Sequence, residues 1–70
     1  MSTRNLFGGN VARIRADLGL TQEQLCERAE IDRSYLQRIE SGQSSPTVEV
    51  AVRLKKALRC SWDRLFEGLG

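Results

Sequence analysis

From Asp32 to Gly42 the chain reads Asp-Arg-Ser-Tyr-Leu-Gln-Arg-Ile-Glu-Ser-Gly, and wound at about 100° per residue these side chains separate into two faces. Arg33, Ser34, Gln37, Arg38 and Ser41 share one arc, which carries guanidiniums, an amide and hydroxyls and no carboxylate. Tyr35, Leu36 and Ile39 take the opposite arc, with Glu40 at its edge. The donor-rich arc has the chemistry to read base edges in a DNA major groove, since Arg suits guanine O6 and N7 and Gln suits adenine N6 and N7. The competing reading is an ordinary amphipathic helix whose polar outside faces water. Asp32 is placed to cap this helix and Gly42 to end it in a positive-φ conformation.

Other chemistries lack residues. The 70-residue chain has no His and two Cys, too few ligands for a structural zinc site and no nucleophile–base pair for covalent catalysis. An enzyme is not expected, nor a cofactor, a metal or a small-molecule ligand. Cys26, set beside Leu25 and Ala29, and Cys60, following Leu58, read as buried small side chains rather than a disulfide. The formal net charge is +2, yet residues 21–42 carry three Arg against five acids, so the placement of charge matters more than its sum. Few phosphate contacts and a modest salt dependence follow. No apolar run approaches membrane-spanning length and the polar N-terminus lacks a signal-peptide core, so a cytoplasmic protein without membrane contact is expected.

The elements that would hold the 32–42 helix can be read in order. A first helix, capped by Thr3 or Asn5 and running to about Leu18, carries Phe7, Val11, Ile14 and Leu18 at i, i+4, i+7, i+11. Gly8 and Gly9 within it imply close packing against another backbone, and Gly19 stops it. Thr21-Gln22-Glu23-Gln24 is a capping-box pattern that starts a second helix burying Leu25, Cys26 and Ala29. Two short helices so briefly joined form a helix-turn-helix over about 21–41. After the Gln43–Pro46 loop, Thr47, or Ser45 with Pro46 at the first helical position, opens a fourth helix. There Val48, Ala51, Leu54 and Leu58 point inward, and Arg53, Lys55 and Lys56 face solvent with Arg13. Ser61 caps a last helix from Trp62 to Phe66, where Trp62, Leu65 and Phe66 are core residues or, in part, a dimer seam. The expectation is one all-α domain over 5–67, a compact bundle of five helices, with a frayed 1–4 and a tail at 68–70.

With these residues in register, the chain resembles the phage-repressor and Cro (XRE) helix-turn-helix family from Phe7 to Glu67. The resemblance rests on Phe7-Gly8, Ile14-Arg15, Leu18 to Leu25, Ile39-Glu40-Ser41-Gly42, Pro46-Thr47-Val48-Glu49, and Leu58 with Ser61 to Phe66. It implies a lambda-repressor-like bundle and a regulator that binds double-stranded DNA as a homodimer on an inverted repeat. It further implies base contacts from Arg33, Ser34, Gln37 and Arg38, and backbone contacts from Gln22, Gln43, Ser44, Ser45 and Thr47. Arg15 and Glu40 match a structural ion pair of the family. The chain departs from the family pattern at Glu30, where Gly is frequent and whose presence suggests a turn of different shape. It departs also at Ser44-Ser45, where Arg or Lys is frequent, and at Lys55, where Ala is usual and a long side chain would have to snorkel. Ile31 to Tyr35 and the short length are similar to controller proteins of restriction–modification systems, which are dimeric autoregulators. The alternative function is a protein-binding module, antitoxin-like or an adaptor, using the same helical surface.

Overall fold

The computed structural model describes residues 2–69 and places five helices in them. They are α1 (Thr3–Asp17), α2 (Gln22–Ala29), α3 (Arg33–Glu40), α4 (Val48–Leu58) and α5 (Trp62–Leu65). Each starts on a side-chain oxygen that accepts a first-turn backbone N–H: Ser2, Thr21, Asp32, Thr47 and Ser61 in turn. Such caps contribute about 1 kcal/mol each, which matters for helices of eight residues or fewer that would not persist alone. At α2 the capping box is complete, with Gln24 Oε1 accepting from the Thr21 backbone N–H at 2.9 Å. Among the described residues there is no strand, and no helix is long and apolar enough to cross a membrane.

The core is one cluster that draws Phe7, Val11 and Ile14 from α1, Leu25, Cys26 and Ala29 from α2, Leu36 and Ile39 from α3, Leu54, Ala57 and Leu58 from α4, and Leu65 from α5. Burial pushes the Cys26 thiol above its ordinary range, and the half-buried Cys60 thiol shifts the same way for the same reason. Four expectations change. The hydroxyl of Ser2 caps α1, so Thr3 and Arg4 are helical rather than frayed; Met1 lies outside the described residues. Leu18 is half exposed because α1 closes into a turn in which Gly19, at φ +72°, donates to the Ala16 carbonyl and Leu20 to the Arg15 carbonyl. Val48, the first residue of α4, is 84% exposed, so that helix's buried face begins farther along. In the expected tail, Leu69 packs half-buried against the core; Gly70 lies outside the described residues.

The two adjacent glycines of α1 have opposite surroundings. A methyl on Gly8 would overlap the backbone carbonyl oxygen of Ile39, so this glycine lets α1 lie directly on α3. A methyl on Gly9 would meet nothing, and no close packing explains that residue.

Asn10 is buried, and the sequence had offered no role for it. Its Nδ2 donates to the carbonyls of Leu65 (2.8 Å) and Glu67 (2.9 Å), while its Oδ1 accepts from Arg13 Nη2 at 2.8 Å. The side chain thus satisfies carbonyls that the end of α5 leaves unpaired and ties the C-terminal turn to α1. Asn10→Ala is expected to cost about 2 kcal/mol by stranding these groups. A chemical-denaturation midpoint equal to wild type would contradict the clasp.

Candidate nucleic-acid interface

The turn before α3 is set by two local devices. Glu30 ends α2 in the left-handed conformation, φ 57°, so the turn keeps the shape that Gly usually takes there instead of changing it. A non-Gly residue in that region costs about 1–2 kcal/mol. Arg53 Nη1 donates to the Glu30 carbonyl at 3.3 Å and helps hold it. Asp32 then accepts the Ser34 backbone N–H at 3.0 Å and the Ser34 hydroxyl. The Ser34 hydroxyl, followed by the Tyr35 and Ser34 backbone N–H groups, holds the Asp32 carboxyl below the usual carboxylate range.

With Leu36 and Ile39 in the core, Arg33, Ser34, Gln37, Arg38 and Ser41 all lie on the exposed face of α3. The side chains of Arg33, Gln37 and Arg38 have no hydrogen-bond or ion-pair partner among the described residues. The donor of Ser34 is engaged by Asp32, which leaves its lone pairs. Tyr35 is half-buried rather than wholly inward, and the Arg38 guanidinium sits 5.8 Å from its ring centroid. That contact is worth about 0.5–1 kcal/mol and narrows the directions Arg38 can take.

A polar network fixes the other side of α3. Arg15 donates to Glu40 in a fork, Nε to Oε2 at 2.8 Å and Nη2 to Oε1 at 3.1 Å, while its Nη1 reaches the Leu20 carbonyl at 2.8 Å. Gln22 Nε2 adds a bond to Glu40 Oε1 at 3.0 Å. The side chains of Arg15 and Glu40 are only 19% and 8% exposed, so the pair is mostly desolvated. One carboxylate therefore joins α1, the start of α2 and α3. Gln22 is half-buried with its amide turned to Glu40, so any outward contact at that point falls to the start of α2 itself.

On the far side, Gln43, Ser45 and Thr47 are exposed and Ser44 is half-buried. The Thr47 hydroxyl accepts the Val50 N–H at 3.1 Å as the cap of α4. The loop has no cation of its own, but Arg4 Nη1 donates to the Gln43 carbonyl at 3.3 Å and supplies one. Nothing in the spacing of Arg4 and Gln43, 39 residues apart, could have indicated this. Gly42 starts the loop at φ +82° with Asn5 against it, leaving no room for a side chain.

Of the three large residues expected at a dimer seam, Leu65 is wholly buried and belongs to the core, because a one-turn helix has a single inward position. Trp62 and Phe66 remain 38% and 43% exposed, stacked at 5.5 Å, and Lys55 Nζ lies 5.6 Å from the Trp62 ring. Lys55 thus snorkels along that ring. Beside Phe66, an apolar groove of about 250 Å³ runs past Phe7, Pro46, Val48, Ala51 and Leu69. Val48 and this groove were missed, since helical spacing alone had turned Val48 inward.

The sequence model of the helix-turn-helix family matches residues 11–65. The uncharacterized HTH-type transcriptional regulator y4dJ of Sinorhizobium fredii is 41% identical over 61 residues, which is 87% of this chain and 79% of the relative. A similar regulator of Bacillus subtilis, YqaF, is 36% identical over 53 residues, 76% of this chain and 70% of the relative. Among solved structures, the restriction–modification controller protein C.AhdI from Aeromonas hydrophila has a TM-score of 0.86 at 32% identity, covering 90% of this chain and 96% of that one. The controller C.Esp1396I, solved as a tetramer in complex with its natural 35 base-pair operator, has a TM-score of 0.86 at 28% identity, covering 99% of this chain and 91% of that one.

Proposed function

Because the chain belongs to the helix-turn-helix family of DNA-binding transcriptional regulators, XRE type, we propose that it binds an inverted-repeat operator as a homodimer with α3 in the major groove. The observation that carries this reading is the face of α3. Three long donor side chains stand exposed there without hydrogen-bond or ion-pair partners among the described residues and without a carboxylate among them, on a helix whose other side is locked by Glu40. On this reading Arg33, Ser34, Gln37 and Arg38 contact bases. The start of α2 at Gln22, together with Gln43, Ser44, Ser45, Thr47 and Arg4, holds the sugar–phosphate backbone on either side. The likeness to C.AhdI supports the narrower reading of a controller-type regulator.

Arg33→Ala and Arg38→Ala are each expected to weaken binding to the preferred duplex by about 1–3 kcal/mol and to relax preference at one base pair. Fluorescence anisotropy on that duplex measures both effects. Two variants that bind like wild type would remove α3 as the reader. The same titration in increasing salt separates DNA from a protein partner on this surface, because each phosphate contact adds about 0.9 to the log–log slope through released counterions.

The seam of the dimer on this reading is the exposed apolar face of Trp62, Phe66 and Val48. Phe66→Glu is expected to sediment as a folded monomer at micromolar concentration and to bind a full site no better than a half-site. A folded, dimeric Phe66→Glu protein would move the seam elsewhere.

A further inference from the structure

The apolar groove of about 250 Å³ beside Phe66 is shared by α5 and the segment that leads into α4. Phe66 and Val48 line it, and so do Arg4, Ser45, Pro46 and Thr47. Trp62 stacks on Phe66, so three of the four exposed large apolar side chains among the described residues stand at this one place. Upstream in the same segment, the backbone N–H groups of Gln43 and Ser44 both donate to the Arg38 carbonyl, at 2.8 and 3.1 Å. Ser45 and Pro46 form no hydrogen bond among the described residues. Packing alone holds that stretch, through Pro46, which is half-buried at the wall of a groove the chain leaves unfilled.

We infer that a second copy of the chain closes this groove, and that closing it tightens each protomer's hold on its own half of the DNA by steadying Ser45, Pro46 and Thr47. The inference rests on the reading of the chain as a homodimer on DNA and adds a coupling between its seam and its grip on the sugar–phosphate backbone. Charge and continuity decide the occupant. No carboxylate lines the groove, and Arg4, the one charged residue there, donates to the Gln43 carbonyl, so the opening suits an apolar surface. A second copy brings such a surface in its own Val48, Trp62 and Phe66, and a two-fold axis lets each apolar rim close the groove of the other. The 45–47 stretch then loses its freedom once, on dimerisation, and DNA meets it already ordered, which makes binding less costly. By linkage, DNA on each protomer must tighten the dimer in return.

The test is sedimentation of the wild type at micromolar concentrations, alone and with a saturating duplex that carries one preferred half-site and is too short for two protomers. The duplex is expected to lower the dimer Kd by about 25-fold, since each protomer contributes about fivefold, the low end of couplings between sites, and the two factors multiply. A scrambled duplex of the same length is expected to leave the dimer unchanged. Pro46→Gly removes the ring that links the segment to the groove. It is expected to dimerise still, through Trp62, Phe66 and Val48, while the half-site shifts its dimer Kd less than about threefold. The wild-type comparison decides the point even without this variant. A chain that stays monomeric with and without DNA would overturn the seam and the inference with it. A dimer that half-site DNA leaves unchanged or loosens would overturn the inference alone, as would equal tightening by the scrambled duplex or full tightening in Pro46→Gly.

Discussion

Gly8→Ala is expected to lower the melting temperature by roughly 12–24 °C, and Gly9→Ala, one residue away, to raise it by a few degrees. At Gly8 an added methyl overlaps the Ile39 carbonyl oxygen, which is backbone and cannot swing aside. Relief requires α1 and α3 to separate, so the cost is put at about 3 kcal/mol, the upper end for overpacking. In a domain of this size each kcal/mol corresponds to about 4–8 °C. At Gly9 the added methyl meets nothing, so only the helix preference remains, about 0.5–1 kcal/mol in favour of Ala. Differential scanning calorimetry of the two variants checks the sign as well as the size. Two variants with the same shift would mean that α1 does not rest on α3 through Gly8.

The second large effect is expected at Glu40. Glu40→Ala removes the acceptor shared by Arg15 and Gln22 and leaves a guanidinium that is 19% exposed without its counter-charge. Breaking a buried pair costs about 3–5 kcal/mol, and the residual exposure of Arg15 places this case at about 3. The Arg15→Ala/Glu40→Ala double variant is expected to recover part of that loss, but not all, because the Arg15 bond to the Leu20 carbonyl goes too. Denaturant melts of the cycle measure the coupling. Strictly additive losses would show that the two residues do not act together.

How far the sequence reached depended on the range of the interaction. Caps at Thr21, Asp32 and Ser61, and the glycine stops at Gly19 and Gly42, are settled within one turn of chain and the residue types alone identify them, whereas at α4 Thr47 and Ser45 both fitted the cap and the structure selects Thr47. The two faces of α3 follow from helical angle for the same reason. Arg15 and Glu40 are 25 residues apart, and only the family resemblance paired them. Where tertiary packing decides, spacing misled: Leu18 and Val48 fit their helical stripes and yet lie outside, because each stands at the end of its helix. The Asn10 clasp spans more than fifty residues and has no local signature. Glu30 shows the reverse, a residue type that argued against the left-handed turn and adopts it nonetheless.

Selecting bound duplexes from a random pool with wild type and with Arg33→Ala tests whether α3 of each protomer reads one half of an inverted repeat. An enriched pair of inverted half-sites is expected, with centres about 34–36 Å apart, one turn of the duplex. The variant's selection is expected to lose preference at one base pair in each half while keeping the spacing. An enriched sequence without inverted symmetry, no enrichment at all, or an identical motif from the Arg33→Ala protein would contradict this role for α3.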